Sequence, residues 1–532
     1  MRKPFYPLNI SRLVEASYDW LVAHAFKITV SIVLVTLVAT LGLRLFLMFD
    51  YFPEIGGIES NVIYSLQRIL AGYPLYTNPE AAPYAITQYT PLYYNVAWVV
   101  GKIFQVDPSD VHAVYVLSRG LSLLFNVLFS WVVALILYRI FNINRTLCVV
   151  AFTYALVYLD EESYSRPDSL YNLMVLTTLF LFLKFLQAHI HRERYLLGAS
   201  FLSIVTIFTK QSGIYLPVVL LFFLLFYVKN IRSTLLAIGT MLIVFIMLLL
   251  LSSGGNLFVF WQNTVQGVSN GISMDWFAER ILIEHFQKER WINIVGLFLG
   301  LFFWAKGRNK AQQFLGLATL VSFAFALLTS VKVGAAPNYF TEFITLSIIL
   351  AIVFIAQHDT IFANPTALSR SYYKPLVYLL LVVFTLPPRL AGKYVKKVVE
   401  IAHSGEQVYH HSQEVTEYLY REEKITPEDQ VLVTTHVQDY LNKFLYRNVI
   451  FPQKEIVIAN PPGTYDYSAF REGIEDGSVG YVVASVAEHH VDTVQGRLVV
   501  NFNFIDTDFS HFTPTQAVNG YIIFKNRHVV DK

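Results

Sequence analysis

Long runs of apolar side chains, each near the length that crosses a bilayer, recur along most of this 532-residue chain and dominate what it can fold into. Eleven runs close to the roughly 20 residues a spanning helix needs lie at 28–49, 116–138, 146–160, 169–188, 195–209, 213–229, 232–252, 291–305, 312–331, 340–357 and 375–390. They predict an all-α polytopic membrane protein with about eleven transmembrane helices. The stretch 91–104 is apolar as well, but its length of about 14 residues suits an interfacial or re-entrant helix better than a span.

Composition agrees and narrows the function classes. With 55% hydrophobic and 15% charged residues the chain needs a membrane, and 40 basic against 38 acidic residues leave no global excess to bind nucleic acid. The single cysteine, Cys148, excludes an intramolecular disulfide and paired-cysteine chemistry. No GxxxxGK[ST], CxxC or HExxH occurs, so nucleotide hydrolysis and zinc proteolysis have no support.

Charge gives orientation. If residues 1–27 form a cytoplasmic segment, eleven spans put Arg139 and Arg145, Arg192 and Arg194, Lys229 and Arg232, and Lys306, Arg308 and Lys310 in short cytoplasmic loops, as the positive-inside rule asks. A twelfth span at 91–104 would reverse every later loop. Residues 28–390 then form a membrane domain in the cytoplasmic (inner) membrane, with extracytoplasmic loops at 50–115, 160–168, 252–290 and 331–339. The hydrophilic tail 391–532 falls outside too. Its short apolar stretches Gln430–Val433, Glu455–Ile458, Tyr481–Val486 and Tyr521–Phe524, separated by helical or turn segments, predict strands of a small extracytoplasmic α/β domain.

Ionisable groups near membrane depth are costly and mark functional sites by default. Here they gather at the outer ends of the spans: Asp50, Glu54, Glu59, Asp160, Glu161, Glu162, Arg166, Asp168, Lys210, Lys332 and Glu342. Three of them have a bland alternative. Glu59 opens a helix of about three turns and is a plausible dipole cap; Pro167-Asp168 is an ordinary helix start; Lys210 is placed to snorkel. Arg166 has no such explanation, nor does the mixture of Gly334, Pro337, Asn338 and Glu342 beside Lys332. Together these loops offer carboxylates to accept a hydroxyl proton and cations to hold a departing phosphate.

Several short segments resemble the C superfamily of membrane glycosyltransferases (GT-C), which includes protein O-mannosyltransferases and lipid A aminoarabinose transferases. The resemblance spans about residues 28–345 and is carried by Glu59 with Arg68 in the first outer loop, Gly72-Tyr-Pro-Leu-Tyr76 with Gln88-Tyr89-Thr90-Pro91, Ser165-Arg166-Pro167-Asp168, Thr209-Lys210-Gln211 and Asn338-Tyr339-Phe340. It implies a GT-C-like fold and sugar transfer, with inversion, from a polyprenyl-phosphate donor to a glycan, lipid or protein acceptor outside the cytoplasmic membrane. On that reading Glu59 is the first choice of catalytic base, with Asp50 and Asp168 as the other catalytic carboxylates. Arg68, Tyr89, Arg166, Lys210, Gln211, Lys332, Asn338 and Glu342 bind substrate. Some relatives use a divalent metal, for which the sequence assigns no ligands. Two readings from other classes stand beside it: a transporter or flippase of a lipid-linked sugar, and a non-catalytic membrane subunit.

Overall fold

A computed structural model describes residues 10–55, 59–159, 164–357, 373–401, 404–434, 440–485, 491–492, 497–498 and 509–529. The acidic run Asp160–Glu162 and the pair His489–His490 lie outside them. The chain is a multi-pass helical membrane protein carrying a small C-terminal sheet. The first ten helices are α1 (Ile10–Phe49), α2 (Glu59–Leu70), α3 (Leu92–Ile103), α4 (Val111–Phe141), α5 (Arg145–Tyr158), α6 (Asp168–Gln187), α7 (Arg192–Ile207), α8 (Tyr215–Phe223), α9 (Ile231–Ser252) and α10 (Leu257–Thr264). Arg290–Lys306, Lys310–Thr329, Thr341–Gln357 and Tyr373–Leu390 complete the bundle.

Among the described residues seven segments are long and apolar enough to cross a membrane: His24–Phe49, Val111–Phe141, Asp168–Gln187, Gln211–Val228, Ile231–Ser252, Lys310–Thr329 and Pro337–Gln357. The other four expected spans are helical too, but α5 has only 14 residues, α7 16 and Arg290–Lys306 17, while Tyr373–Leu390 carries Pro387 and Pro388. At about 1.5 Å per residue α5 rises roughly 21 Å, short of a hydrocarbon core of about 30 Å. By length and apolarity, seven of the expected eleven qualify among the described residues. α3, at 12 residues, is too short to span.

Small residues let neighbouring helices approach. A Cβ on Gly316 would stand 2.4 Å from the backbone nitrogen of Trp304 and 2.7 Å from the carbonyl of Gly300, so Lys310–Thr329 lies directly against the backbone of Arg290–Lys306. Polar contacts lock other pairs. The buried Arg44 of α1 donates to the carbonyls of Leu156 and Leu159, both at 2.7 Å, and to the Tyr394 hydroxyl at 2.6 Å, joining α1 to the end of α5 and to the segment that leaves the bundle.

Most of the expected strands of the C-terminal domain form, as β1 (Gln430–Val433), β3 (Val479–Ser485) and β7 (Tyr521–Asn526). With β2 (Val449–Ile450) and β6 (Phe512–Val518) they make a sheet of order β2-β1-β3-β7-β6, parallel through β2, β1 and β3 and antiparallel thereafter; β4 (Val491–Asp492) and β5 (Arg497–Leu498) pair separately. The stretch Glu455–Ile458, expected as a strand, is instead part of a helix, Lys454–Ala459. Its adjacent Ile456 and Val457 are both buried while Ile458 is 54% exposed, a pattern that period-two alternation does not give.

Alternation within the sheet splits its core in two. Val431, Val433, Tyr481 and Val483 pack on one face with Val415 and Leu419 of the helix Ser404–Arg421, whereas Leu432, Val482, Ala484 and Phe524 pack on the other with Phe451 and Phe470. The membrane domain enters both layers: Tyr64 and Ala85 join the first, Tyr84 and Ile86 the second. The sheet domain is thus packed around the loop between α2 and α3.

Candidate active site

Beneath this docked domain, at one end of the bundle, a cavity of about 490 Å³ opens between Arg166, Asp168, Lys210, Lys332, Asn338 and Glu342. Tyr89 and Gln211 line it too, and the C-terminal domain contributes Glu455, Ile456 and Ala459. Eight of the residues singled out from sequence thus meet in one place.

Asp168 is its centre. Preceded by Pro167, it opens α6, where the helix dipole favours a carboxylate. Its Oδ1 accepts from Lys210 Nζ at 2.7 Å and from Asn338 Nδ2 at 2.9 Å, while Arg166 Nε stands 3.4 Å from Oδ2. Lys210 is set by a tight turn after α7, its amide donating to the Thr206 carbonyl at 3.0 Å. Gly213 belongs to this turn: a Cβ there would lie 2.9 Å from the Thr206 backbone. Gln211 braces the turn, its Nε2 reaching the carbonyls of Gln88 at 2.6 Å and Thr264 at 2.7 Å. Burial works against the Lys210 charge, but Asp168 more than restores it, so the ammonium titrates above the ordinary lysine range.

Lys332 sits on the opposite wall in a turn stapled to the segment after α10, where Ser273 N donates to the Val331 carbonyl at 3.0 Å and Val333 N to that of Gly271 at 2.8 Å. Burial, and then the nearby Lys210 charge, push its pKa down to about 8. Glu342, 7% exposed, faces Tyr171 and Tyr215 and forms no ion pair among the described residues. The cavity also continues along Thr329, Phe325 and Ser322, seven residues or about 10 Å down one helix into the bundle.

Three expected residues lie elsewhere. Glu59 is fully buried and does not line the cavity: its oxygens accept from Ile55 N at 3.0 Å, Ser165 N at 2.8 Å and Arg119 Nη2 at 2.8 Å. Glu59 and Arg68, which together carry the first-loop resemblance, do not meet. Nine positions along a helix amount to about two and a half turns, which places the two on opposite faces. Arg68 instead lies over the rings of Tyr73 and Tyr64, at 4.5 and 5.9 Å. Asp50 accepts from Phe52 N at 2.7 Å and lines a separate pocket with Tyr51, Gly405 and Glu406.

Arg119, Asn61, Tyr171 and Glu455 are the residues that sequence reasoning missed. Arg119 carried a signal, a lone cation inside the apolar run of α4. The others did not stand out, because what brings Glu455 to the cavity is the docking of a domain some 400 positions away from α2. Among the described residues no three His, Cys, Asp or Glu side chains stand together as a metal would require.

No protein-family model and no curated protein matches the sequence. Solved structures do. The chain is similar to ArnT from Cupriavidus metallidurans bound to undecaprenyl phosphate, at 16% identity over 92% of this chain and 97% of that one, with a TM-score of 0.57. It is similar to the archaeal oligosaccharyltransferase AglB from Archaeoglobus fulgidus in complex with an inhibitory peptide and a dolichol-phosphate, at 13% identity over 87% of this chain and 70% of that one, TM-score 0.56. The arabinofuranosyltransferase AftD from Mycobacteria matches at 12% identity over 93% of this chain and 41% of that one, TM-score 0.50. At these identities the likeness is one of architecture, and it covers the bundle and the docked domain together: the chain has the GT-C fold.

Proposed function

We propose that the protein is a membrane glycosyltransferase that moves a sugar from a polyprenyl-phosphate donor to the hydroxyl of a glycan, lipid or protein acceptor, with inversion, on the extracytoplasmic face. The observation that carries this reading is the Asp168–Lys210–Arg166 cluster, set with Lys332 in a cavity that continues between the helices of a GT-C fold. The undecaprenyl phosphate bound to ArnT and the dolichol-phosphate bound to AglB support a donor of that class. Orientation rests on the opposite end of the bundle, where Lys184 donates to the Arg139 carbonyl and Arg232 pairs with Glu193, basic loops of the kind retained in the cytoplasm.

The chemistry is a single displacement. The acceptor oxygen attacks the anomeric carbon, the bond from that carbon to the phosphate oxygen breaks with its electron pair going to the phosphate, and the acceptor proton passes to a carboxylate. Asp168 is the base in this reading. In the free protein Asp168 is paired with Lys210 and Arg166, and a donor phosphate that shares those cations frees the carboxylate to accept the acceptor proton. Lys210, Arg166 and Lys332 neutralise the leaving phosphate, where a preorganised cation in a water-poor site acts far more strongly than in water. Glu59, closed within its ion pair, holds the loop that presents Asp168.

The test is transfer from a panel of synthetic polyprenyl-phosphate sugars by the purified protein beside Asp168→Asn and Lys210→Ala, each expected to reduce kcat by roughly 10²- to 10³-fold. Undiminished transfer by Asp168→Asn moves the base role to Glu342 or Glu59. Binding of the donor without any transfer by the wild type favours a transporter.

A further inference from the structure

One wall of the cavity differs in chemistry from the cation cluster. Asn61, in the first turn of α2, lines the cavity and is only 5% exposed, yet among the described residues neither its Oδ1 nor its Nδ2 has a hydrogen-bond partner. A buried carboxamide with both ends unpaired is rare in a native protein and asks what it is kept for. Nothing about its placement is loose. The Asn61 carbonyl accepts from Ser65 Oγ at 3.0 Å and from Gln453 Nε2 at 3.4 Å, and Gln453 also donates to Ser65 Oγ at 3.2 Å and accepts from Ile86 N at 3.0 Å. Gln453 thereby pins the helix Lys454–Ala459 of the C-terminal domain beside Asn61. Two residues further on, Glu455 lines the same cavity.

From this juxtaposition we infer that Asn61 and Glu455 form the subsite for the sugar ring of the donor, so that recognition of the sugar is shared between the membrane domain and the C-terminal domain. The inference rests on the glycosyltransferase reading above. A carboxamide offers two donors and an acceptor, and a ring hydroxyl, itself donor and acceptor, satisfies both kinds. A phosphate would be repelled by Glu455 and has Arg166, Lys210 and Lys332 for partners. A lipid chain would leave the carboxamide unpaired. The cavity is then divided by function: cations hold the phosphate of the lipid, while Asn61 and Glu455 face the hydroxyls of the ring attached to it. Ring chemistry is selected because a sugar lacking the matching hydroxyl would leave Asn61 buried and unpaired.

The test compares binding of undecaprenyl phosphate with binding of undecaprenyl-phosphate sugars, hexoses and pentoses, to the full-length protein in detergent. The wild type is expected to bind at least one sugar-bearing lipid about tenfold tighter than the bare lipid, the worth of roughly one well-made buried hydrogen bond. Asn61→Ala should erase that increment and leave affinity for the bare lipid within about twofold. Glu455→Gln should reduce the increment, and Lys210→Ala should weaken both lipids alike. Because Asn61→Ala removes unpaired polar atoms, the ligand-free variant should melt no lower than the wild type, whereas a residue kept for structure would melt lower. An increment retained by Asn61→Ala, or equal wild-type affinity for bare and sugar-bearing lipids, overturns the subsite and leaves the glycosyltransferase reading standing. Failure of the wild type to bind either lipid overturns both.

Discussion

Arg119 Nη2 lies 2.8 Å from Glu59 Oε2 with both side chains buried, and the same guanidinium donates to the carbonyls of Asp50 at 2.7 Å and Phe52 at 2.6 Å. One cation in α4 therefore holds the start of the first outer loop and the start of α2. Through Glu59, whose Oε1 accepts from Ser165 N, its influence reaches the segment that presents Arg166 and Asp168. The pair is a joint between the loops that build the cavity.

A joint of this kind fails asymmetrically. Removing one partner of a buried pair leaves an uncompensated charge and costs about 3–5 kcal/mol, whereas removing both costs far less. Arg119→Gln should therefore strongly lower the melting temperature or the yield of folded protein, and the double variant Arg119→Gln/Glu59→Gln should recover much of the loss. Thermal melting of the wild type and the two variants in one detergent checks this; a double variant no better than the single would show that the interaction is not pairwise.

Lys332 sets a pH limit on donor binding. With its pKa pushed down to about 8 by burial and by Lys210, the side chain is charged below that value and neutral above it. A polyprenyl-phosphate sugar is a phosphodiester whose single negative charge does not change over this range, so the titration seen belongs to the protein. The donor KM should be flat up to about pH 7.5 and rise above pH 8, reaching roughly tenfold when the cation is lost. Lys332→Arg stays charged and should extend the flat region; Lys332→Gln should be weak throughout and flat. Steady-state kinetics from pH 6.5 to 9.5 make the comparison.

How much of this was legible follows from where the signals lie. Arg166, Asp168, Lys210, Lys332 and Asn338 were readable because each is a polar group at the end of an apolar helix, where desolvation makes it conspicuous. Their convergence was not, since it depends on the stapling of Lys332 to the segment after α10 and of Gln211 to the Gln88 and Thr264 carbonyls. Glu59 is the opposite case. Its position at a helix start beside other acids suggested chemistry, but the partner that closes it off is 60 residues downstream within an apolar run that gave no reason to pair them. Seven of the eleven expected spans meet a length-and-apolarity criterion among the described residues, and α5, α7 and Arg290–Lys306 are helices of 14, 16 and 17 residues that fall just below it. The helix Lys454–Ala459 looked like a strand because its β-branched residues favour one, and only packing beneath the sheet decides otherwise.

His285 gives the fold an acid limit. It is 2% exposed, stacked on Phe340 with ring centroids 4.2 Å apart, and its pKa is pushed down to about 4, chiefly by burial. Glu289 and Asn293 favour its charge and Arg389 opposes it, but none overcomes desolvation. The unfolded chain, with histidine near 6.5, binds a proton that the folded chain refuses, so this contribution to stability is complete above about pH 6.5 and is lost as pH falls toward 4. At pH 5 the loss is about 2 kcal/mol. The melting temperature of the wild type should accordingly fall from pH 7.5 to pH 5 by more than that of His285→Phe, whose ring keeps the stack on Phe340 and cannot be protonated. Parallel pH profiles for the two proteins would mean that His285 is charged in the folded state or hydrated enough to accept its proton.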